Sequence, residues 1–319
     1  MTVAERVLVT GGAGFIGANA CNILAASGYA VTALDNLSLG KSSNLDRAVA
    51  FVEGDASRID DLKRAGPVDH VIHLASSSSA PMFLDNLQGS VANNIQGHIA
   101  VLEFARACKA RKVLFASTSS IYGNNPVPLT EAQPVTPPNF YAVSKHCQEE
   151  LSDVYHRTHG LEIIGFRFMS VYGLHEEHKG RYANLVSQFI WGVEQGKPPV
   201  VYGDGKQTRD FVNVRDVVAA FVLALQTRKT FGFTIFNIGT AQSINIIELV
   251  ELIGDVMRKR IEPRFIANPV GCYVMNQQAD LSKIARELGY APTISLKQGI
   301  AEIVSYRKTK PEPPASLSY

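Results

Sequence analysis

The chain has 319 residues, of which 46% are hydrophobic and 19% charged, and a formal net charge of +2. This composition is typical of a globular protein with a full hydrophobic core, and it lacks the basic stripe that nucleic-acid binding requires. Since no apolar stretch reaches the ~20 residues of a membrane span and the N-terminus has no signal-peptide pattern, we expect a cytoplasmic protein with neither a nucleic-acid nor a membrane partner.

The first predicted elements are a buried strand at residues 7–9, a tight turn and a helix. Gly11, Gly14 and Gly17 occupy the turn and the helix start at intervals of three. In this pattern one glycine allows the turn, one lets the backbone approach a pyrophosphate, and one lets the helix pack closely on the strand. Free N–H groups at the helix N-terminus then face the phosphates. The pattern favours a dinucleotide-binding turn over an ordinary strand–turn–helix.

A second predicted strand, residues 30–35, ends in Asp35. This position is close to the ~20 residues expected between such a turn and the acid that binds the adenine ribose. A carboxylate there can accept both ribose hydroxyls and repels a 2′-phosphate, and Asn36 to Ser38 supply no arginine for that phosphate. The sequence therefore predicts NAD rather than NADP, although Lys41 lies only a few residues further on.

Predicted strands and helices continue to alternate along the chain. Further strands are predicted at residues 51–52, 68–75, 112–117 and 162–168, and long helices at residues 87–108 and 140–155. This alternation predicts an α/β fold, a Rossmann-type doubly wound parallel sheet with helices on both faces. Ligands bind such sheets at the carboxyl ends of the strands. Here those ends carry Gly11, Asp35, Asp55, Ala75, Ser117 and Ser170.

The C-terminal third has shorter elements, with helices predicted near residues 215–225, 246–258 and 281–288. We interpret it as a smaller C-terminal α/β region that lies over the crevice and binds the substrate. The predicted division is an NAD-binding Rossmann domain at residues 1–170, to which some later segments return, and a mainly substrate-binding region at residues 171–306. Residues 307–319 are polar and rich in proline, which predicts a flexible tail.

A candidate catalytic pair lies near the start of the helix at residues 140–155. Tyr141 and Lys145 are four residues apart and therefore share one helix face. A free tyrosine has a pKa of about 10, and an adjacent ammonium together with the positive nicotinamide of NAD⁺ would favour the phenolate. Thr118 and its serine neighbours bring hydroxyls to the nearby strand end. This placement favours catalysis over a helix-surface pair, which the spacing alone would also allow.

With these motifs the chain resembles the extended short-chain dehydrogenase/reductases, specifically the NAD-dependent nucleotide-sugar epimerase/dehydratase family typified by UDP-glucose 4-epimerase. The likeness extends from about Arg6 to Tyr290. It rests on motifs at residues 10–17, 35–38, 54–55, 73–75, 94–97, 117–123, 141–145, 167–168, 171–173 and 209–214. The resemblance implies a UDP-glucose/UDP-galactose-type 4-epimerase that holds NAD tightly.

The resemblance also implies a set of cofactor contacts. At the pyrophosphate these are Gly11, Gly14, Phe15, Ile16 and Gly17. The adenosine end is assigned to Asp35, Asn36, Asp55 and Ala56. The remainder of NAD is assigned to Leu74, Ala75, Asn94, Tyr141, Lys145 and Phe168.

Catalysis is assigned by the same resemblance to Thr118, Tyr141 and Lys145. Tyr141 would take the proton from a sugar hydroxyl, most simply at C4, while Thr118 binds the same oxygen. The keto-sugar would then be reduced from its opposite face. Substrate contacts are implied at Thr118, Ser170, Asn184, Tyr202 and Arg209. The expected assembly is a homodimer formed through the helices at residues 87–108 and 140–155.

Departures from the family pattern reduce the number of reactions that we expect this chain to catalyse. The dehydratases of the family carry an acid pair directly after the active-site threonine, where this chain has Ser119 and Ser120. Decarboxylases place a glutamate at the position of Ser120. Without an added acid or base, oxidation followed by re-reduction is the reaction that remains. Near the diphosphate, Ser170 stands where asparagine is usual, and residues 269–273 lack an expected arginine.

Three alternatives to that 4-epimerase stay open. One is an epimerase of another nucleotide sugar, the second is a nucleotide-sugar dehydrogenase or reductase, and the third is a dinucleotide sensor without catalysis, because a fold does not fix a function. A metal site is not expected. His175 and His178 are three residues apart rather than the four of a helical zinc pair, and the four cysteines are scattered.

Overall fold

The computed structural model describes residues 4–268 and 273–309, and within them thirteen strands and ten α-helices are defined. The strands are β1 (Arg6–Thr10), β2 (Ala30–Asp35), β3 (Ala50–Glu53), β4 (His70–His73), β5 (Lys112–Thr118), β6 (Ile163–Phe168), β7 (Ser170–Tyr172), β8 (Val200–Tyr202), β9 (Thr208–Arg209), β10 (Phe211–Asn213), β11 (Phe233–Ile238), β12 (Ile244–Asn245) and β13 (Arg264–Ile266). The helices are α1 (Phe15–Ala26), α2 (Ile59–Lys63), α3 (Ala80–Asp85), α4 (Leu87–Ala107), α5 (Phe140–His159), α6 (Leu185–Glu194), α7 (Val214–Gln226), α8 (Ile246–Met257), α9 (Ser282–Leu288) and α10 (Leu296–Thr309).

Seven parallel strands form the central sheet in the order β11-β6-β5-β4-β1-β2-β3. The chain runs outward from β1 to β3 on one side and from β4 to β6 on the other, so the strand order reverses between β1 and β4. A crevice opens at the carboxyl ends of the strands at such a reversal. The predicted Rossmann-type doubly wound α/β fold is confirmed.

Apart from the edge strand β3, the sheet is buried on both faces, and most residues of its strands are apolar. In β1, Val7 and Val9 face a core that includes α1 and α7, whereas Leu8 faces a second core that includes α4. All six residues of β6 are buried. Near-continuous apolar runs of this kind are what a parallel sheet covered on both faces requires.

A third core lies in the C-terminal part of the chain, where α6, α8 and α10 pack together. Trp191 on α6 is the largest buried side chain of this core. Three short strand pairs, β7 with β10, β8 with β13 and β9 with β12, connect this core to the rest of the molecule. Among the helices within residues 4–268 and 273–309, none combines the length and apolar character needed to cross a lipid bilayer.

The predicted tail begins too early. Helix α10 continues to Thr309, and Arg307 is buried with its Nε atom 2.6 Å from a carboxylate oxygen of Glu194. Prolines begin only after this helix, in residues 310–319, which lie outside the described part of the chain. The charged residues that suggested a tail are therefore partly a packed helix end.

A substitution of Phe221 on α7 tests how much the stability of the fold depends on the apolar side chains that cover the sheet. This side chain is fully buried, with its ring 5.4 Å from the ring of Phe166 and 6.0 Å from that of Phe168. We expect Phe221→Ala to lower the free energy of unfolding by about 3–5 kcal/mol, because it removes buried area and leaves a cavity. Urea unfolding measures the change. The control Phe265→Ala, at a half-exposed ring, should cost less than about 0.5 kcal/mol; equal losses would contradict the prediction.

Candidate active site

A cavity of about 450 Å³ lies at the carboxyl ends of the central strands. Its walls come from the turn after β1, the loops after β2, β4 and β5, the first turn of α5, and the segment between β7 and α6. Elements of the N-terminal part and of the later chain therefore enclose one site. A volume of this order is typical of small-molecule sites.

The turn after β1 approaches the neighbouring strand too closely for any side chain. Gly11 has φ +66°, and a Cβ atom there would lie 2.6 Å from the main-chain nitrogen of Ala75. A Cβ atom at Gly17 would lie 2.0 Å from the carbonyl oxygen of Gly11. Helix α1 begins at Phe15, and Gly14 before it provides no side-chain cap. The helix N-terminus therefore presents bare N–H groups to the cavity, as a pyrophosphate site requires.

Asp35 lies at the end of β2 and lines the adjoining part of the cavity. One carboxylate oxygen accepts the N–H of Ala13 at 3.1 Å and the other accepts the N–H of Leu37 at 2.8 Å. Burial raises the pKa of Asp35, and these backbone hydrogen bonds oppose that rise. Because each carboxylate oxygen can accept more than one hydrogen bond, Asp35 can fix the turn and still accept a ribose hydroxyl.

Thr118, Tyr141 and Lys145 all line one wall of the cavity. Strand β5 ends at Thr118, whose side chain lies beside the phenol of Tyr141. Tyr141 lies in the first turn of α5, which Asn139 caps through a 3.0 Å bond to the N–H of Ala142. One turn further on, Lys145 donates to the carbonyl oxygen of Ala116 at 2.9 Å. The structure thus brings together the three side chains predicted to be catalytic.

The electrostatics of this wall differ from the expectation. Burial raises the pKa of Tyr141, and the side chain of Thr118 opposes the rise. Burial also lowers the pKa of Lys145 to about 7, with Glu149 acting in the opposite direction. The ammonium of Lys145 is directed to the carbonyl of Ala116 rather than to the phenol. Desolvation, and not the lysine charge, therefore dominates the pKa of the tyrosine.

Most of the predicted cofactor residues also line the cavity, namely Gly11, Gly14, Phe15, Ile16, Gly17, Asp35, Asn36, Asp55, Ala56, Leu74, Ala75 and Phe168. Asn94 is not among the lining residues, and its contact with NAD stays a prediction. This side chain is fully buried between α4 and α5, where its Oδ1 atom accepts the N–H of Ser77 at 2.7 Å. Its neighbour Asn93 lies at the cavity instead. Asn94 therefore supports a loop of the cavity wall from behind.

The predicted substrate residues fall into two groups. Ser170 and Asn184 line the cavity with Thr118. Tyr202 and Arg209 are not among the lining residues; each contacts the ring of Tyr273, the guanidinium at 5.1 Å from its centre. Arg209 also donates to main-chain carbonyls at positions 274 and 275. The contact of Arg209 with a diphosphate stays a prediction. Residues 269–272, where the sequence lacks the second arginine of the family pattern, lie outside the described part of the chain.

A polar group between β7 and α6 was not identified as part of the site from the sequence. Glu176 is buried at the cavity, where its carboxylate accepts the N–H of Asn184 at 2.8 Å and the hydroxyl of Ser187 at 2.6 Å. Lys179 donates to the same carboxylate at 3.2 Å. The sequence favours a solvated or sugar-facing loop over a metal site at residues 175–178, and it predicts no role for the carboxylate of Glu176. Within the described ranges of the chain, no group of three potential ligands could hold a metal ion.

One contact joins α3 to the segment before α6. Asp85, the last residue of α3, accepts hydrogen bonds from Arg181 at 2.6 Å and from the hydroxyl of Tyr182. Met82 on α3 and Tyr182 both line the cavity. The contact therefore links two of the segments that form the cavity.

Fold and site together define a Rossmann-type enzyme of the extended short-chain dehydrogenase/reductase class. Residues 7–239 match the model of the NAD dependent epimerase/dehydratase family, and the chain belongs to that family. It is 35% identical to a putative UDP-glucose 4-epimerase of Methanocaldococcus jannaschii, over 95% of this chain and 98% of the relative.

Solved structures agree with this assignment. The UDP-glucose 4-epimerase of Thermotoga maritima, solved with UDP-glucose, is 30% identical and superposes with a TM-score of 0.90 over 97% of this chain and 100% of that chain. The UDP-glucuronic acid 4-epimerase of Bacillus cereus, solved with its substrate and NAD, is 29% identical with a TM-score of 0.86 over 96% and 99% of the two chains. NAD is therefore the cofactor. The turn formed by Gly11, Gly14 and Gly17, called here the glycine cradle, and the carboxylate of Asp35 fit it.

Two buried histidines lie behind the catalytic wall. The rings of His73, at the end of β4, and His98, on α4, are 5.3 Å apart. His73 Nδ1 pairs with the hydroxyl of Thr10 at 2.8 Å, and His98 Nε2 with that of Ser152 at 2.9 Å. Burial and the nearby charge of Lys145 lower the pKa of His98 to about 3, and burial likewise lowers the pKa of His73. Both imidazoles are therefore neutral near pH 7.

These histidines should make the fold sensitive to acid. An unfolded histidine binds a proton below a pKa of about 6.5, whereas folded His98 stays neutral down to about pH 3. Protons therefore favour the unfolded chain as the pH falls through this window. Between about pH 7.5 and pH 5 we expect His98 alone to remove about 2 kcal/mol from the free energy of unfolding.

Urea unfolding at the two pH values measures this loss. His98→Phe replaces the imidazole by a ring that cannot titrate, next to Phe115. Its loss of stability between the two pH values should be smaller than that of the wild type by about 2 kcal/mol. The same loss in both proteins would exclude His98 as the source.

Proposed function

We propose that this protein is a UDP-glucose/UDP-galactose-type 4-epimerase that holds NAD through its reaction cycle. The observation that carries the proposal is the common cavity wall formed by Thr118, Tyr141 and Lys145 beside the glycine cradle. This arrangement places a proton-transferring phenol, a hydroxyl partner and an ammonium next to the dinucleotide site. The similarity to 4-epimerases of UDP-sugars supports the same reaction.

The chain's own residues move the proton and hold the sugar. Tyr141 takes the proton of the sugar 4-hydroxyl and returns it at the end of the cycle, while Thr118 hydrogen-bonds the same oxygen. NAD, when bound, supplies the hydride acceptor and donor. Lys145 adds positive charge and hydrogen-bond donors to the same wall. The remaining polar groups position the substrate, which is how most of such a rate enhancement arises.

The residues after Thr118 favour epimerisation over elimination of water. Ser119 and Ser120 follow directly, and the hydroxyl of Ser119 accepts a 3.0 Å hydrogen bond from the amide of Gln277. Neither side chain is an acid or a base near neutral pH. A dehydratase or decarboxylase would need such a group beside the keto-sugar.

The cavity lining favours a neutral sugar over a uronate. Besides the catalytic residues, its polar side chains near the serine-rich strand ends are hydroxyls and amides, namely Ser76, Ser77, Ser78, Ser79, Asn93, Ser119, Ser120, Ser170 and Gln277. Lys179, a cation of the lining, is paired with the carboxylate of Glu176. Burial lowers the pKa of His178 to about 4, so this lining residue is neutral. Hydroxyl-rich walls suit the hydroxyls of a hexose.

An assay without added NAD tests this function. Purified protein is incubated separately with UDP-glucose and with UDP-glucuronate, and the products are separated by chromatography. We expect UDP-galactose from UDP-glucose, with no accumulation of NADH. Turnover that needs added NAD and accumulates NADH would indicate a dehydrogenase instead. Epimerisation of UDP-glucuronate alone would overturn the choice of sugar, and no conversion of either substrate would overturn the proposal.

Tyr141 is the residue on which catalysis should depend most. Tyr141→Phe removes the phenol and keeps the ring that packs 5.9 Å from Phe83. We expect kcat to fall by roughly 10²–10⁴-fold, as is typical for loss of a general acid–base, and Lys145→Met to cause comparable harm. Steady-state kinetics measure both variants. The matched control Tyr155→Phe, on the same helix but hydrogen-bonded to Glu103, should keep normal turnover; near-normal kcat for Tyr141→Phe would contradict the assignment.

We also propose a homodimer formed by α4 and α5. Leu87, Val91 and Ile95 follow one face of α4 at intervals of four residues, and the first two are exposed. On α5, Phe140 is 54% exposed and Val143 is 52% exposed. The two helices pack side by side, so these side chains form one apolar surface. A second copy of the same surface would complete a four-helix interface with twofold symmetry.

Light scattering after size-exclusion chromatography measures the assembly. We expect twice the 34.7 kDa chain mass for the wild type and a monomer for Val143→Asp, because the variant buries a charge in the interface. Phe265→Asp, at a half-exposed ring on β13, serves as the control and should remain dimeric. A monomeric wild type, or a dimeric Val143→Asp, would refute this interface.

The division at residues 1–170, 171–306 and a tail is kept as a proposal with one change, since the helix before the tail reaches Thr309. We further propose a cytoplasmic location. Cys21, Cys108 and Cys147 are all free thiols, as is usual in a reducing compartment.

A further inference from the structure

A row of buried polar side chains joins α4 to α5. Asn94 donates from Nδ2 to the hydroxyl of Ser144 at 2.9 Å, and His98 pairs with the hydroxyl of Ser152 at 2.9 Å. Between these two contacts, the Nε2 atom of Gln148 donates to the main-chain carbonyl of Asn94 at 2.7 Å. On α5, Ser144, Gln148 and Ser152 are spaced by four residues, so all three face α4. Each is buried, so the hydrogen bonds are made away from water.

Gln148 differs from the other members because it also contacts the active site. Its Oε1 atom accepts a hydrogen bond from the ammonium of Lys145 at 3.2 Å. The two ends of the amide are not interchangeable here. Since Nε2 has a carbonyl oxygen as its partner, the amide oxygen must be the end that faces Lys145. The side chain is fully buried, which strengthens an ion–dipole contact.

The ammonium of Lys145 is thereby held at two points. Ala116 on β5 accepts one N–H, Gln148 accepts a second, and a third donor remains. The sheet and helix α4, through the main chain of Asn94, together determine where this ammonium lies. A lysine side chain has four rotatable bonds, so without such fixed acceptors its position at the cavity wall would vary.

The other charged or titratable groups near Lys145 have their own partners. Glu149 on α5 forms a buried two-point pair with Arg167 on β6, at 2.7 and 3.0 Å, and accepts the hydroxyl of Ser117. His73 on β4 and His98 on α4 are neutral, and the pKa of Tyr141 on α5 is raised by burial, which Thr118 rather than Lys145 opposes. Gln148 is thus the side chain on α5 that binds the ammonium directly.

We propose that Gln148 is a positioning residue for Lys145: its amide fixes the site of the ammonium and helps to keep it protonated, and so sets the upper pH limit of catalysis. This inference rests on the proposed function, in which Lys145 takes part in catalysis. Burial lowers the pKa of Lys145 to about 7. The charge of this lysine is therefore poised to change near neutral pH, and a direct acceptor has a measurable effect there.

Two substitutions separate this role from simple packing. Gln148→Glu and Gln148→Met both remove the amide donor to Asn94, so the loss of that hydrogen bond is common to the two variants. Their effects on Lys145 are opposite, because a carboxylate favours the ammonium and a thioether does not. An opposite charge at this distance typically moves a pKa by about one unit or more. The alkaline limb of the kcat profile should move up by about one pH unit in Gln148→Glu and down in Gln148→Met.

Ser152→Ala is the matched control. It removes another member of the same buried row, one turn further along α5, without touching Lys145. Its alkaline limb should coincide with that of the wild type. If Gln148→Glu and Gln148→Met move the limb in the same direction, or neither moves it, Gln148 only supports packing and the inference is wrong.

A direct titration distinguishes this inference from the proposed function. With ¹⁵N-labelled lysine, the Nζ resonance of Lys145, assigned by its loss in Lys145→Met, gives the titration midpoint without any turnover. The midpoint should rise in the order Met, Gln, Glu at position 148, and a common midpoint would overturn the inference. Shifted midpoints in a protein that epimerises no nucleotide sugar would uphold the positioning role and reject the function. If Gln148→Met does not fold, the comparison uses Gln148→Glu alone. A titration midpoint of Lys145 in that variant equal to or lower than the wild-type midpoint would refute the inference.

Discussion

The pairing of β1 with β4 is the constraint on which the rest of the structure depends. After β1 the chain runs to one side of the sheet, and after β4 it runs to the other. The loops that follow these two strands therefore diverge and leave an open space at the carboxyl ends. Thr10 pairs with His73 in this register, and their side chains are also hydrogen-bonded. Beyond these residues, Gly11 lies against Ala75 with no room for a side chain. The dinucleotide site exists because two neighbouring strands end here and their loops separate.

Catalytic residues are positioned by buried polar contacts rather than by the sheet alone. Lys145 and Tyr141 are carried by α5, which packs directly against α4. Polar groups buried between two helices are costly unless each finds a partner, and the contacts of Asn94, Gln148 and Ser152 meet that condition. Satisfied networks of this kind select one relative position of the helices. The same two helices present the apolar outer surface, so the site and the proposed subunit contact share one support.

Local patterns in the sequence predicted the cofactor half well. Strand β2 occupies the predicted residues 30–35, and α4 ends within one residue of the prediction. Such elements are determined by short-range periodicity and by glycines whose conformation is fixed locally. The assignment of Asn94 to the cofactor stays a prediction, because a motif position does not reveal which face of a long helix is turned inward. That Asn93 lines the cavity while Asn94 is fully buried depends on the packing of α4 against α5.

Long-range contacts could not be predicted in the same way. Helices α6 and α10 were not identified; their hydrophobic faces pack against α8, against each other and against residues of β7, β8 and β10. The role of Glu176, which binds the start of α6, likewise depends on a loop returning to a helix N-terminus. Arg209 was chosen for its charge, yet its N–H groups reach main-chain carbonyls near Tyr273. Charge and motif identify chemistry, whereas the neighbours that engage it are set by the tertiary fold.

The return of the chain to the sheet has a consequence for biosynthesis. Strand β11 pairs along the whole of β6, and the intervening residues 169–232 include both α6 of the third core and α7, which packs on the sheet. Until β11 has left the ribosome, β6 is an open sheet edge with apolar faces, which is an aggregation hazard. Residues 169–232 are thus an insertion between two adjacent strands, whereas α8 and α10 of the third core follow β11. A nascent chain must have extended past residue 238 before all seven strands can pair, and past residue 309 before the third core is complete.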